Sequence, residues 1–329
     1  MTYESYLEVK NLVKYFPIYS TGVLTKKQVG QVHAVDDISF DIRKQETFAL
    51  VGESGCGKTT TARVILNLIE PTSGEVYVDG ENIFQKFRSA DKQEKLKIRR
   101  KLQMIFQNPY GSLDPRMTVC DIVSEPFVIH GHLPKEKRCE RVYDLLELVG
   151  LEEYHAERYP HEFSGGQRQR ICIARALAVE PEFIIADEPV SSLDVSIRAQ
   201  ILNLLADLQK TMGLSILYIS HDLSSVRQIS QRVAVMYLGQ IVEQADTDEL
   251  FDNPLHPYTQ ALIEAVPIPD PKANNIRAKL KGEVPSPINP PEGCRFNPRC
   301  SKATKECTEQ KPPLVEVTKN HLVACFHAE

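Results

Sequence analysis

Short apolar segments alternate with polar turns over the first fifty residues. This pattern predicts β-strands at residues 7–9, 34–42 and 47–51. The polar stretch at residues 20–32 predicts a loop. The last of these strands runs directly into a glycine-rich turn, and residues 60–69 are predicted to form the helix that follows.

The rest of the first 250 residues also alternates between helix and strand patterns. Lys, Arg and Gln dominate residues 85–101, which predicts a solvated helix, and helical periodicity follows at residues 119–151. Residues 183–186 and 215–220 are almost wholly apolar, as is typical of strands buried on both faces of a parallel sheet. A helix is predicted between them at residues 196–210. Strands that alternate with helices indicate an α/β fold with a mainly parallel sheet.

The composition changes near residue 250. Twelve of the 21 prolines lie between residues 253 and 313, and long helices do not persist through that density of proline. We therefore predict two parts, residues 1–252 and a small, loop-rich C-terminal appendix at residues 253–329. Such an appendix needs something other than a large core to hold it together.

The overall charge and hydropathy narrow the class of protein. The chain has 42% hydrophobic and 25% charged residues, and its net charge of −5 gives no basic field for nucleic acid. No stretch reaches the roughly 18 consecutive apolar residues of a membrane helix. The N-terminus shows no signal-peptide pattern. We expect a cytoplasmic chain that reaches a membrane only by docking on another protein.

A complete glycine-rich phosphate-binding loop, or P-loop, follows the strand at residues 47–51. Its main-chain amides are predicted to bind nucleotide phosphates at the N-terminus of the next helix. Lys58 is predicted to reach the β- and γ-phosphates, and the Thr59 hydroxyl to bind Mg²⁺. The strand before the loop and the helix after it disfavour a chance match. The predicted ATP-binding residues here are Gly52, Glu53, Ser54, Gly55, Cys56, Gly57, Lys58, Thr59 and Thr60.

Two acidic residues, Asp187 and Glu188, follow the apolar strand at residues 183–186. An aspartate at the end of such a strand is predicted to hold Mg²⁺ in a P-loop protein. Glu188 is predicted to polarise the attacking water, as a general base or an orienting group. In isolation such a pair would be two surface carboxylates at the start of a turn. The P-loop upstream favours the catalytic interpretation.

A second anion-binding turn precedes the clear helix that ends near residue 177. Two successive glycines allow main-chain amides to approach an anion without obstruction by Cβ atoms. Ser164 could instead serve only as the cap of that helix. The residues of this turn that we predict to bind ATP are Ser164, Gly165, Gly166 and Gln167.

Residues 163–170, FSGGQRQR, closely resemble the signature sequence of the ATP-binding cassette (ABC) ATPases, and the resemblance covers about residues 7–250. It implies the ABC nucleotide-binding fold, with a RecA-like core, an antiparallel β subdomain and a helical subdomain at about residues 108–178. It also implies that the P-loop of one subunit and the signature turn of another close over each ATP. The chain would then be half of an ATPase that closes on ATP and reopens after hydrolysis.

The same resemblance implies roles for further residues. Gln107 is similar to the Q-loop glutamine, which senses Mg²⁺ and contacts the membrane partner. His221 is similar to the switch histidine at the γ-phosphate, although a lone His before an Asp is usually just a helix cap. With Lys58 and Glu188 they form the implied catalytic set. The implied Mg²⁺ ligands are Thr59, Gln107 and Asp187.

Three weaker assignments complete the implied ATP site. Residues 191–194 resemble the D-loop, which brings in Asp194, although Ser192 replaces the usual alanine. Phe16, or its neighbour Tyr15, would stack on adenine. An aromatic residue near a strand end is often simply part of the core.

Outside the ATPase core the chain resembles the oligopeptide/dipeptide group of ABC importers. The resemblance rests on NPYGSLDP at residues 108–115, NPLHPYT at 253–259 and GCRFNPRC at 293–300. The first segment is more similar to the F-type than to the D-type ATPase subunit. The group implies uptake of di- or oligopeptides, with nickel or an oligosaccharide as the alternative cargo.

The same group implies partners and a location. The partners are a related, non-identical ATPase subunit, two membrane permease subunits and an extracellular peptide-binding protein. The location is peripheral, at the cytoplasmic face of the membrane. A non-transport ABC ATPase acting on DNA or ribosomes is disfavoured, because no long coiled coil or second cassette is present.

Four cysteines crowd the last forty residues with the spacing C-x₅-C-x₆-C-x₁₇-C. Four thiolates suit Zn²⁺ or a [4Fe–4S] cluster, and the spacing lacks the paired C-x₂-C knuckles usual for zinc. The importers that the chain resembles can hold a [4Fe–4S] cluster in this tail, which favours iron. Four free buried thiols are the alternative. A redox sensor on an ATPase scaffold is a further hypothesis, which requires the cluster to control hydrolysis. The residues concerned are Cys294, Cys300, Cys307 and Cys325.

Overall fold

The computed structural model describes residues 4–20, 27–131, 133–266 and 282–328. In these ranges the β-strands are β1 Ser5–Tyr19, β2 Gln28–Arg43, β3 Thr47–Val51, β4 Ser73–Val78, β5 Glu81–Asn82, β6 Leu102–Ile105, β7 Phe183–Asp187, β8 Ser215–Ser220, β9 Arg232–Tyr237, β10 Gln240–Asp246, β11 Val315–Thr318 and β12 His321–Val323. The α-helices are α1 Lys58–Ile65, α2 Ile83–Ser89, α3 Lys92–Lys101, α4 Pro109–Ser112, α5 Val119–His130, α6 Lys135–Leu148, α7 Gly165–Leu177, α8 Val195–Met212, α9 Leu223–Ile229, α10 Thr247–Asp252, α11 Pro257–Glu264 and α12 Lys305–Glu309.

The chain divides into two compact units. The first comprises Met1–Tyr6, Ile42–Thr47 and Ile83–Ser220, and the second comprises Leu7–Asp41, Phe48–Asn82 and His221–Glu329. The proposed helical subdomain, at about residues 108–178, lies within the first unit. The division into residues 1–252 and 253–329 stays a prediction.

In the first unit, strands β6, β7 and β8 lie side by side and run parallel. All residues of β7 and β8 are buried, which agrees with their apolar sequences. Helix α7 packs against α5 and α6, and the helical periodicity of α6 buries Val142, Leu145 and Leu146. The carboxyl end of β7 therefore emerges from a buried core at Asp187 and Glu188.

The second unit contains an antiparallel sheet and a mixed one. The order of the first is β2-β1-β4-β5, in which β1 and β5 both pair with β4 in antiparallel fashion. The order of the second is β11-β12-β10-β9-β3, in which β3 and β9 are parallel. Both sheets agree with the predicted fold class, α/β with an antiparallel β subdomain.

Several predicted boundaries were wrong, two of them because a local residue starts or ends a helix. Residues 28–32 belong to strand β2 rather than to a loop. The predicted helix at 85–101 is two helices, because Asp91 caps α3 by accepting a hydrogen bond from the amide of Glu94. The helical stretch at 119–151 is interrupted after α5 by Gly131, whose φ of 62° ends that helix. Residues 21–26 of the predicted loop, and the tail prolines at 267, 269 and 271, lie outside the described residues.

The tail is more regular than its proline content predicted. Strand β12 pairs with β10, and β11 pairs with β12, so the tail extends the mixed sheet. Between β12 and β10, His321 Nε2 lies 2.8 Å from Glu243 Oε1, and both residues are fully buried. The second oxygen of Glu243 accepts from the amide of His256 at 3.1 Å. One buried carboxylate thus binds two segments of the tail.

The buried histidine gives a pH-dependent prediction. Burial lowers the pKa of His321, but the hydrogen bond and charge of Glu243, with Glu249 nearby, outweigh it, so the pKa lies above the usual 6.5. A raised folded pKa stabilises the fold fully below pH 6.5 and loses that contribution as the pH rises through the folded value. We expect His321→Gln to lower the free energy of unfolding by about 3 kcal/mol near pH 6, and by less near pH 9.

Denaturant titrations at several pH values measure this difference, and the exposed His161→Gln is the matched control. A destabilisation by His321→Gln that grows with pH would contradict the assignment. A destabilisation that stays constant over the whole range would do the same.

The described residues include no helix long and apolar enough to cross a membrane.

Candidate functional site

The P-loop follows β3 and leads into α1, as predicted, and two of its glycines are sterically required. Gly52 and Gly57 have φ of 150° and 113°. A Cβ atom at Gly52 would lie 2.1 Å from the carbonyl oxygen of Met236, and one at Gly57 would lie 2.1 Å from that of Ala34. Because these neighbours are main-chain atoms, only glycine fits at either position.

Lys58 lies folded over the loop at the N-terminus of α1. Its Nζ donates to the main-chain oxygens of Gly52 at 2.7 Å and Glu53 at 3.1 Å. The side chain is only 5% exposed, while Ser54 and Gly55 at the crest of the loop are exposed. The ammonium is therefore held inside a turn whose crest is open to solvent. Thr59 and Thr60 follow in the first turn of α1.

The structure brings two predicted catalytic residues together in the first unit. Gln107 Nε2 donates to Glu188 Oε2 at 2.7 Å. Glu188 has a φ of 46°, a left-handed conformation uncommon for a residue with a side chain, and its amide donates to the oxygen of Ile219 at 2.9 Å. Non-glycine residues in this region cluster at functional sites. Asp187, the last residue of β7, is 3% exposed.

The signature turn has both a capping and a packing role. Ser164 Oγ accepts from the amide of Gln167 at 3.3 Å, and Gln167 Oε1 accepts from the amide of Ser164 at 3.0 Å, which forms a capping box at the start of α7. A Cβ at Gly166 would lie 2.3 Å from Cγ2 of Ile197, so α8 can approach only a glycine there. Ser164 itself is exposed, and Gly165 is half-buried.

The remaining predicted site residues differ in how they are held. Tyr15 donates its hydroxyl to Asp36, and its ring lies 4.1 Å from that of His33. Burial and the hydrogen bond to Asp36 raise the pKa of Tyr15 to about 12. Phe16, the next residue along β1, contacts the Lys14 ammonium at 4.9 Å from its ring centre. Tyr15 is thus engaged by the protein, which favours Phe16 for stacking.

Two further residues lie at element ends. Asp194 is the exposed N-cap position of α8 and makes no capping hydrogen bond with its side chain. His221 follows β8 and is exposed. In α9 the N-cap is the next residue, Asp222, which accepts from the amide of Ser224. Asp222, and not His221, therefore caps α9.

The tail contacts the P-loop, a feature that the sequence did not reveal. Arg299 donates two hydrogen bonds to the Glu53 carboxylate, at 2.7 Å and 3.1 Å. The amide of Glu53 donates to the Tyr258 hydroxyl at 2.9 Å. Both tail residues lie in segments whose sequences indicate only a family resemblance. The burial of their side chains against the P-loop is what would have identified them, and only the folded chain shows it.

The four tail cysteines line one small pocket, together with Phe296 and His327. The amide of His327 donates to Cys325 Sγ at 3.4 Å. Burial raises the pKa of Cys294 to about 11, and neighbouring cysteines add to this. In the ranges that the structure describes, no three His, Cys, Asp or Glu side chains are arranged to hold a metal ion. The thiols therefore share a pocket without forming a ligand shell.

The fold and the P-loop, together with the signature turn, define an ABC ATPase. The family described as ABC transporter matches residues 35–191, and the family described as oligopeptide/dipeptide transporter, C-terminal region, matches residues 242–307. The chain belongs to the ABC transporter ATP-binding family, as the relatives below also show.

Curated relatives are similar over nearly their whole length. The dipeptide transport ATP-binding protein DppF of Haemophilus influenzae is 50% identical, over 98% of this chain and 97% of the relative. The oligopeptide transport ATP-binding protein AppF of Bacillus subtilis is 51% identical, over the same shares. Among solved structures, the dimeric cassette MJ0796 bound to ADP and Pi has a TM-score of 0.62 and 31% identity, over 73% of this chain and 98% of that one.

Proposed function

We propose that this chain is the ATP-hydrolysing subunit of an importer of di- or oligopeptides. The observation that carries the proposal is the match of both parts of the chain. The cassette belongs to the ABC family, and residues 242–307 match the C-terminal region of oligopeptide/dipeptide transporters. Relatives that are half identical over nearly full length are named for dipeptide and oligopeptide transport. Nickel and oligosaccharides remain the alternative cargo.

In this proposal hydrolysis depends on positioning and on charge stabilisation. Lys58 neutralises the phosphates. Thr59, Gln107 and Asp187 carry oxygen atoms of the kind that bind Mg²⁺; they would hold the ion, which would further offset the phosphate charge. Glu188 orients the attacking water and accepts its proton. The 2.7 Å hydrogen bond from Gln107 supports this role, because it fixes the Glu188 carboxylate at the end of β7.

His221 completes the proposed catalytic set by contacting the γ-phosphate. Phe16 stacks on adenine, with Tyr15 as the less suitable neighbour. The glycine-lined loop supplies main-chain amides for the phosphates at the positive end of α1. Exposure of Ser54 and Gly55 at its crest supports this use.

The signature turn is proposed to serve a second ATPase subunit. Ser164 and Asp194 are both exposed, and Val195 beside Asp194 is 80% exposed, which is unusual for an apolar side chain. These exposed residues support a surface that a partner subunit covers. We propose that Ser164–Gln167 and Asp194 close over the ATP of a related, non-identical subunit, and that its signature turn closes over this chain's P-loop.

The membrane partners are proposed to be two permease subunits, with an extracellular peptide-binding protein in the full complex. The segment around Gln107 supports a permease contact, since Phe106 is 39% exposed and Tyr110 is 64% exposed. The chain would lie at the cytoplasmic face of the membrane as a peripheral subunit. No contact with nucleic acid is proposed.

A transport assay tests the proposed function. The chain is assembled in proteoliposomes with its partner ATPase, its permeases and the peptide-binding protein, and uptake of a labelled tripeptide is measured with and without ATP. We expect ATP-dependent uptake of the peptide and none of a labelled trisaccharide or of nickel. Uptake of the sugar or the metal in place of peptide would favour the alternative cargo.

We further propose that the four tail thiols hold a [4Fe–4S] cluster, with Zn²⁺ as the alternative. The support is chemical rather than geometric, because all four thiols line the same pocket and thiolates are the usual ligands of such clusters. An amide that donates to Cys325 Sγ is a contact that tunes cluster sulfurs. Binding would stabilise a tail with little core of its own.

Anaerobic purification tests the cluster. We expect about four iron and four sulfide per chain, as a [4Fe–4S] cluster implies. The change Cys307→Ser should lower iron and make the tail sensitive to protease, whereas Cys172→Ser, another buried cysteine in the other unit, should change neither. Stoichiometric zinc would establish the alternative metal, and a metal-free chain with a stable tail would establish four free thiols.

A further inference from the structure

The turn at residues 294–300, here called the cysteine turn, is closely held by its own backbone. The amide of Asn297 donates to the oxygen of Cys294 at 2.9 Å, and the amide of Cys300 donates to that of Asn297 at 3.3 Å. Two arginines project from this turn, Arg295 and Arg299, and both are nearly buried. Buried arginines need specific partners. The partner of Arg299 is a P-loop residue, and one partner of Arg295 also binds Tyr15.

Arg299 binds the second residue of the P-loop. Its two guanidinium nitrogens bind the two carboxylate oxygens of Glu53, in the fork-to-fork arrangement that is the strongest type of ion pair. The Arg299 side chain is 5% exposed and that of Glu53 is 26% exposed. Without Arg299, Glu53 would leave an unpaired, poorly solvated negative charge beside the loop that is to bind polyphosphate.

Tyr258 binds the backbone of the same P-loop residue. Its hydroxyl, which is fully buried, accepts from the Glu53 amide at 2.9 Å. The ring packs against Tyr237 at 4.7 Å and Phe296 at 5.4 Å, and Phe296 belongs to the cysteine turn. Glu53 is therefore fixed by side chain and backbone, and both fixing groups come from the tail.

Arg295 extends the contact to the adenine side of the predicted site. It donates to Asp36, which also accepts from the Tyr15 hydroxyl, and to the oxygen of Leu238. The amide of Gly239, the next residue, donates to the oxygen of Cys56 in the P-loop at 2.8 Å. The cysteine turn thus reaches the loop by two routes.

We propose that Arg299 and Tyr258 are positioning residues that hold the P-loop ready for ATP, so that the ATP affinity of this chain depends on its cysteine-bearing tail. The physical reason is twofold. A loop that is already held in place loses less conformational entropy when it binds ATP. Arg299 also neutralises a carboxylate that would repel the incoming phosphates. The ligand is a nucleoside triphosphate.

The inference rests on the proposed ATP site at the P-loop. Its test measures the affinity of the full chain for Mg·ATP by titration calorimetry, and in parallel KM and kcat for hydrolysis. We expect Arg299→Gln to raise the Kd for ATP about tenfold, with an unchanged binding stoichiometry and a kcat that changes by less than about twofold. A purely structural loss would lower the stoichiometry and kcat together and leave Kd unchanged.

A second variant tests the charge argument. Adding Glu53→Gln to Arg299→Gln removes the unpaired carboxylate, and we expect the Kd to return to within about threefold of the original chain. The matched control is Arg227→Gln, which breaks an exposed Arg–Asp pair with Asp252 in the same unit and should not change Kd. If Arg299→Gln does not fold, Arg299→Lys replaces it, with an expected rise in Kd of about threefold.

Two outcomes would overturn the inference. One is an ATP affinity of the Arg299 variant equal to that of the Arg227 control, and the other is a double variant that binds no better than the single one. If the unchanged chain itself fails to bind ATP, the proposed function fails instead. The two failures are therefore distinguishable in one titration series.

Discussion

Replacing Glu188 by glutamine is expected to reduce steady-state ATP hydrolysis by roughly 10²–10⁴-fold while ATP binding is retained. The glutamine keeps the shape of the side chain and an oxygen that can accept the 2.7 Å hydrogen bond from Gln107. It cannot accept a proton from water. The uncleaved ATP should then hold two subunits closed, because reopening follows hydrolysis in the proposed cycle.

Phosphate release measures the rate, and size-exclusion chromatography with Mg·ATP and the partner ATPase measures closure. The control is Glu157→Gln, an exposed glutamate of the same unit, which should change neither. Hydrolysis by the Glu188 variant at the original rate would remove Glu188 from the catalytic set. Loss of ATP binding would instead show a structural role for its carboxylate.

Replacing Gly57 by alanine is expected to weaken ATP binding by roughly 10²-fold or more. Its φ of 113° is a conformation that residues with a side chain rarely adopt. The new Cβ would also lie 2.1 Å from the main-chain oxygen of Ala34 and 2.7 Å from Cε of Met236. Neither the strand that carries Ala34 nor the loop can yield without moving the amides that precede Lys58.

Gly55→Ala separates the steric effect from the backbone preference. Gly55 has a φ of 80°, yet nothing lies within 4 Å of the position of its Cβ. This change should cost only about 1 kcal/mol of backbone strain, with a modest loss of affinity. The ATP affinity of both alanine variants is measured by titration with Mg·ATP. Equal losses of affinity would show that the backbone conformation alone determines the effect and that the contact with Ala34 is unimportant.

Much of the site could be predicted because its chemistry is local in sequence. The P-loop, the pair Asp187–Glu188 and the signature turn each consist of a few adjacent residues that follow a strand or open a helix. Local spacing fixes where main-chain amides and side chains emerge from such elements. The strand bounds at 47–51 and 215–220 were also correct, since continuous apolar runs between polar turns leave little choice.

Two of the errors came from residues whose state depends on distant neighbours, unlike the helix boundaries at Asp91 and Gly131. Residues 28–32 look polar, yet they extend β2 beside β1. The tail looked loop-rich, but His321 and Val323 form a strand because β10 offers an edge for them to pair with. Strand pairing is decided by what lies alongside, which a local pattern does not contain.

The sequence by itself determined the class of this protein, because the residues that bind and hydrolyse ATP form short contiguous motifs whose geometry follows from near neighbours. Only the tertiary structure decided what supports that site. Glu53 meets Tyr258 across 205 residues of chain and Arg299 across 246. Such contacts depend on the path of the whole chain, since a buried charge selects its partner only when folding removes both from water.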